Sequence, residues 1–98
     1  MTTGQELPNL HDAVLERIEL RWEDGLATIE VTLVPGGPYV ITASGIRSFS
    51  MTRLQEWGPS VFIHGAKVRA EDEHGSVLEI EIQSGHTITC ASDRLTMA

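Results

Sequence analysis

Apolar and polar residues alternate along most of the chain with a period of two, the rhythm of strands that bury one face. From Val14 to Trp22, the side chains of Val14, Ile18, Leu20 and Trp22 share one face and those of Leu15, Arg17, Glu19 and Arg21 the other, with Glu16 as a breach. From Leu26 to Val34, Ala27, Ile29, Val31 and Leu33 lie opposite Thr28, Glu30 and Thr32. Asp24 and Gly25 tolerate the positive φ of a type I′ turn, so a two-residue turn is predicted between these runs. It pairs Trp22 with Ala27, Leu20 with Ile29 and Ile18 with Val31. A three-residue turn would set Leu20 against Thr28 and Ile18 against Glu30, sending apolar side chains to the wrong face, and is rejected.

Residues 66–91 read as a three-stranded antiparallel meander. A three-residue loop Glu73-His74-Gly75 pairs Ala70 with Leu78, Val68 with Ile80 and Ala66 with Ile82, and sets Arg69 opposite Glu79 and Lys67 opposite Glu81 on the outer face. A second such loop, Gln83-Ser84-Gly85, pairs Ile80 with Ile88 and Leu78 with Cys90, with Thr87 and Thr89 opposite Glu81 and Glu79.

Between these units, Pro35-Gly36-Gly37-Pro38 is expected outside any ladder, as a turn before a short strand around Tyr39 to Ala43. Gly45 breaks the chain again, and Ile46 to Thr52 reads as a further strand with Phe49 and Met51 inward. Leu54 to Trp57 supplies at most one helical turn, ended by Gly58-Pro59, and Ser60 to His64 resumes extended structure. Residues 1–9 form a polar, flexible segment and residues 10–98 a single β domain. The expected fold is all-β, with six to eight short strands in a two-layer antiparallel sandwich or a partly open barrel. Ordering a chain of this length costs on the order of 150 kcal/mol, so the core must collect nearly all of these apolar faces.

Composition narrows the function classes. The 98 residues carry 14 Asp or Glu against 7 Lys or Arg, a net charge of −7 with neutral histidines, and the cations are scattered. Phosphate recognition needs clustered cations, so nucleic acid is not an expected partner, whereas a basic protein is favoured electrostatically. Cys90 is the lone cysteine, which excludes an internal disulfide and fits a reducing compartment. No apolar run approaches the ~20 residues that span a bilayer, and the first residues lack an export signal, so a cytoplasmic protein without a membrane partner is expected.

Candidate chemistry is sparse. No two of His11, His64, His74 and His86 are closer than ten positions, and short zinc-ligand spacing is missing, so no metal ligand is assigned. His74 and His86 read as surface turn histidines. His11 and Asp12 are adjacent, and neighbours on a strand face opposite ways, so Asp12 is expected to accept backbone hydrogen bonds at the strand entrance. The Gly-x-Ser-x-Gly elbow and the Gly-rich phosphate loop are both missing, and Cys90 falls on the apolar face, so no catalytic residue or cofactor is assigned. The candidates for partner binding are Glu79 and Glu81, which stand on the outer sheet face, together with Trp57 in an irregular segment and Tyr39.

Leu10-His11-Asp12-Ala13-Val14-Leu15 followed by an alternating strand, Trp22 and an Asp-Gly turn resembles the opening of small bacterial β proteins of uncharacterised function. Some of these are grouped near immunity proteins of polymorphic toxin systems. Trp57-Gly58-Pro59-Ser60 and Leu78-Glu79-Ile80-Glu81-Ile82-Gln83-Ser84-Gly85 are similar to later parts of such chains. The resemblance implies a fold and carries no catalytic residue. The expected function is a non-enzymatic, immunity-like module that offers an acidic face to a basic protein. Two alternatives stand beside it: a metal- or small-molecule-binding barrel using His11, His64 and nearby carboxylates, and a homodimer joined through edge strands.

Overall fold

Six antiparallel strands, and no helix among the described residues, make one continuous sheet. The computed structural model describes residues 7–52, 61–70 and 75–97. The strands are β1 (Val14–Arg21), β2 (Leu26–Leu33), β3 (Gly37–Met51), β4 (Ile63–Ala70), β5 (Ser76–Ile82) and β6 (Thr87–Met97), ordered β1-β2-β3-β6-β5-β4. The expected helical turn at 54–57, Trp57, His74 and most of the Glu73–Gly75 loop lie outside the described residues.

Of the two architectures expected, the curled single sheet is the one found. Its edge strands meet at one end, where Val14 bridges Phe62. The Asp12 amide donates to the Ile63 carbonyl at 2.8 Å, the Ile63 amide to Ala13 at 2.9 Å and the Leu15 amide to Val61 at 2.7 Å. Beyond this seam β1 and β4 share no further backbone bonds among the described residues, so the barrel is closed at one end and open at the other. Closure removes edge groups that would otherwise template pairing with another chain. No helix among the described residues is long and apolar enough to cross a membrane.

The inner face collects the alternating apolar positions. Ala27, Ile29 and Val31 of β2, Ile41 and Ala43 of β3, Leu78, Ile80 and Ile82 of β5, and Ile88, Cys90 and Leu95 of β6 are all buried in one cluster. Leu10 and Ala13 plug the closed end, and Leu7, within the stretch expected to be flexible, packs against the same core.

Two registers differ from the expected ones by two residues. Ile18 pairs with Ile29 and Leu20 with Ala27, and Trp22 to Gly25 form a four-residue loop in which the Gly25 amide donates to Trp22 at 3.2 Å. Ala66 pairs with Ile80 and Val68 with Leu78. A slip of two keeps every side chain on its own face, so alternation cannot discriminate between these registers. The β5–β6 hairpin follows the expected register, with Leu78 opposite Cys90 and Ile80 opposite Ile88. Its three-residue loop closes through Ile82 and His86, and Gly85 takes φ +95°.

Bulges account for the remaining departures. The register shifts between Leu15 and Arg17, so Glu16 is an extra residue and Leu15, rather than Val14, joins Ile18 against the core. The two strands expected around Gly45 are one, β3, of 15 residues. Gly45 takes φ +66° and a second bulge lies between Ile46 and Ser48, which together turn β3 from β2 onto β6 while keeping Ile46 and Phe49 inward. Pro38 does stand in a ladder, opposite Thr32, but the β6 ladder covers β3 only from Ile41, so Pro38 needs to satisfy one neighbour alone.

Candidate functional site

The closed end gathers the polar residues with chemical potential. Leu10 to Ala13 form a turn, with the Ala13 amide donating to Leu10 at 2.9 Å and Asp12 at φ +68°. Because this is a turn and not a strand, His11 and Asp12 converge, against expectation: His11 Nε2 lies 3.7 Å from Asp12 Oδ1. Asp12 Oδ1 accepts from the Gln83 side-chain amide at 2.7 Å, and not from backbone at a strand entrance. The Gln83 backbone amide donates to Phe62 at 2.9 Å, so Gln83 ties the β5–β6 loop to the seam.

His11 Nδ1 sits 2.7 Å from the His64 carbonyl. A carbonyl only accepts, so Nδ1 carries a proton there, and Nε2 is the ring nitrogen beside the Asp12 carboxylate. The rings of His11 and His64 stand edge to face at 5.6 Å. Topology therefore joins the two histidines that sequence separation kept apart. No set of three His, Cys, Asp or Glu side chains among the described residues is placed to hold a metal ion. His86 is buried, not a surface turn residue, with Nδ1 2.7 Å from Ser84 Oγ. Cys90 is fully buried, and desolvation pushes its thiol above the ordinary value.

Three of the four expected partner-binding residues are described: Glu79 and Glu81 share one cleft, and Tyr39 stands apart from them. Tyr39 is half-buried against the core opposite Val31. Glu79 and Glu81 line a cleft of about 450 Å³ on the outer face of β4–β6 with Gly65, Lys67, Thr87 and Thr89. Glu79 pairs with both Lys67 Nζ at 3.5 Å and Arg69 at 3.2 Å, so with Glu81 counted the two carboxylates and two cations of this face balance. The expected Arg69–Glu79 pair thus forms, diagonally, while Lys67 faces Glu79 instead of Glu81.

The open end holds what sequence reasoning missed. Trp22 is 95% exposed and Leu20 53% exposed, although both were expected to be inward. They stand beside a cleft of about 520 Å³ whose wall includes Leu26, Ile46 and Phe49. A four-residue reading of the Trp22–Gly25 turn would have placed Trp22 in the loop and signalled its exposure. This hairpin, residues 14–33, carries five carboxylates and two arginines, a net −3. Arg17 is matched by Glu19 at 3.3 Å and Glu30 at 3.7 Å, and Arg21 by Glu19 at 4.0 Å and Asp24 at 3.8 Å. Glu23, in the same loop as Trp22, makes no ion pair among the described residues.

The chain is similar to an uncharacterized protein from Neisseria gonorrhoeae. That crystal structure superposes with a TM-score of 0.69 at 16% identity, covering 92% of this chain and 94% of the other. At this identity the likeness establishes the fold alone. No family model matches the sequence, and no curated protein does.

Proposed function

We propose that the protein is a non-enzymatic, immunity-like binding module for a basic protein partner. The observation that carries this reading is the charge of the β1–β2 hairpin, where five carboxylates outnumber two arginines that are already matched within the hairpin. Among the described residues no cation outside the hairpin pairs with this surplus, so it steers encounter with a positive surface and selects against acidic ones. Surface pairs of this kind contribute little to stability, which leaves the hairpin free to exchange partners for its carboxylates.

Isothermal titration against the basic proteins encoded beside its gene, over a salt series from ~20 to ~500 mM, tests the reading. Binding that weakens steeply with salt supports it. Absence of heat at the lowest ionic strength with every such protein overturns it.

A second reading draws on one observation, the meeting of His11, His64 and Asp12 at the closed end. Those groups orient a small polar ligand through the imidazole and carboxylate. Titration of the ¹⁵N-labelled protein with imidazole-binding or carboxylate-binding small molecules decides it: shifts confined to residues 10–13 and 63–65 favour this reading, and their absence overturns it.

A further inference from the structure

We infer that the open end of the barrel is an anchor pocket for an apolar side chain flanked by Lys or Arg on the partner, clasped between Trp22 and the wall of Leu20, Leu26, Ile46 and Phe49. This rests on the protein-binding reading above and names what that partner must present. Trp22 is the largest apolar side chain in the described structure that packs against almost nothing, at 95% exposure. It stands in a hairpin loop, where two χ angles let it fold over a guest at small entropic cost. Below it, Ile46 and Phe49 are partly buried against the core, so the wall is rigid, and Leu20 and Leu26 complete an apolar lining.

Charge selects the occupant. Glu23 and Asp24 share the loop with Trp22, and Arg21, which lines the same cleft, is held by Glu19 at 4.0 Å and Asp24 at 3.8 Å. A cation next to the guest's apolar side chain meets these carboxylates and the Trp22 ring face together, and a cation–π contact adds to the attraction. A second copy of this chain brings the same acidic rim and a net charge of −7, so like-charge repulsion disfavours it as the occupant. An aliphatic side chain with neighbouring Lys or Arg satisfies both the lining and the rim.

The test uses the full chain, labelled with ¹⁵N and methyl ¹³C, titrated with a short Lys/Leu-alternating peptide and with its Glu/Leu counterpart at low salt. The expected result is that the cationic peptide shifts the Trp22 indole N–H and the methyl groups of Leu20, Leu26 and Ile46. Trp22→Ala should weaken this binding by about tenfold or more while the circular dichroism spectrum and melting temperature stay unchanged. Shifts confined to the Glu79 and Glu81 face would overturn the anchor pocket and leave the binding-module reading standing. Equal shifts from the Glu/Leu peptide would overturn the charge selection and with it the proposal. No shifts from the cationic peptide would overturn the pocket and the reading beneath it.

Discussion

Asp12 offers a quantitative test of how the barrel is closed. It holds φ +68°, where an L-residue ordinarily loses roughly 1–2 kcal/mol and Asp or Asn loses less because its short polar side chain bonds locally. Its carboxylate also accepts the Gln83 amide at 2.7 Å across the seam. A hydrogen bond to a charged group contributes ~1.5–3 kcal/mol when shielded. The Asp12 side chain is 60% exposed, so water competes and about 1 kcal/mol is the reasonable share. Asp12→Ala forfeits the bond and the side chain that tolerates the left-handed backbone, and should cost about 2 kcal/mol. Asp12→Gly forfeits the bond but relaxes the backbone, and should cost about 1 kcal/mol. Asp12→Asn keeps both features in weaker form and should cost about 0.5 kcal/mol. Urea unfolding reads these as midpoint shifts at constant slope, on the order of 1 M for the alanine variant. In a double-mutant cycle, Gln83→Ala should cost about 1 kcal/mol alone and roughly half of that or less in the Asp12→Ala background, where only the longer contact of its amide to the Ile63 carbonyl at 3.4 Å is left to lose. Equal losses for Ala and Gly would refute the backbone part of the reasoning. An undiminished Gln83→Ala effect in the alanine background would refute the seam bond.

Other consequences are simpler to check. Leu78→Ala removes a fully buried side chain from the centre of the β4–β5–β6 core, and should lower stability by ~2–5 kcal/mol in the same urea assay. Gly45→Ala must place a Cβ on backbone at φ +66° and against the Asp93 side chain, whose Cγ would lie 2.8 Å away; a loss above about 1 kcal/mol is expected, together with disturbance of the Arg47–Asp93 pair, visible as shifted amides in β6. Burial raises the Cys90 thiol above its ordinary value of 9.0, so the native state holds the proton more tightly than the unfolded chain. The stability this lends is fully present below about pH 9 and is lost as pH rises through the folded value, and Cys90→Ala should flatten that alkaline decline in unfolding midpoint. The same burial should keep Cys90 unreactive toward thiol reagents until denaturant is added.

The candidate surfaces divide by how local their causes are. Glu79 on the outer face was legible because strand alternation fixes the side of every residue, and its pairing with Arg69 followed from neighbouring strands. The meeting of His11 with His64 was not, because it depends on a turn at Leu10–Ala13 and on a chain 53 positions further along returning to the seam. Trp22 was misplaced by a turn of the wrong length, an error invisible to alternation yet enough to lift a tryptophan from the face of a strand into a loop.

By itself, the order of residues determined the all-β class, the inward facing of Ala27, Ile29, Val31, Leu78, Ile80 and Cys90, and the β5–β6 hairpin register, whereas Met51, expected inward, is exposed. All of these depend on a period of two and on a tight loop that only Gly85 fits easily. Tertiary structure decided the rest. Registers that differ by two residues bury the same faces, so the choice between them fell to loop geometry and to packing across the barrel. The bulges at Glu16 and Arg47 pass inward-facing duty from one parity to the other, which no periodic pattern can announce. Closure through Val14 and Phe62 joins segments remote in sequence, and its free energy is gained only when the whole sheet has curled.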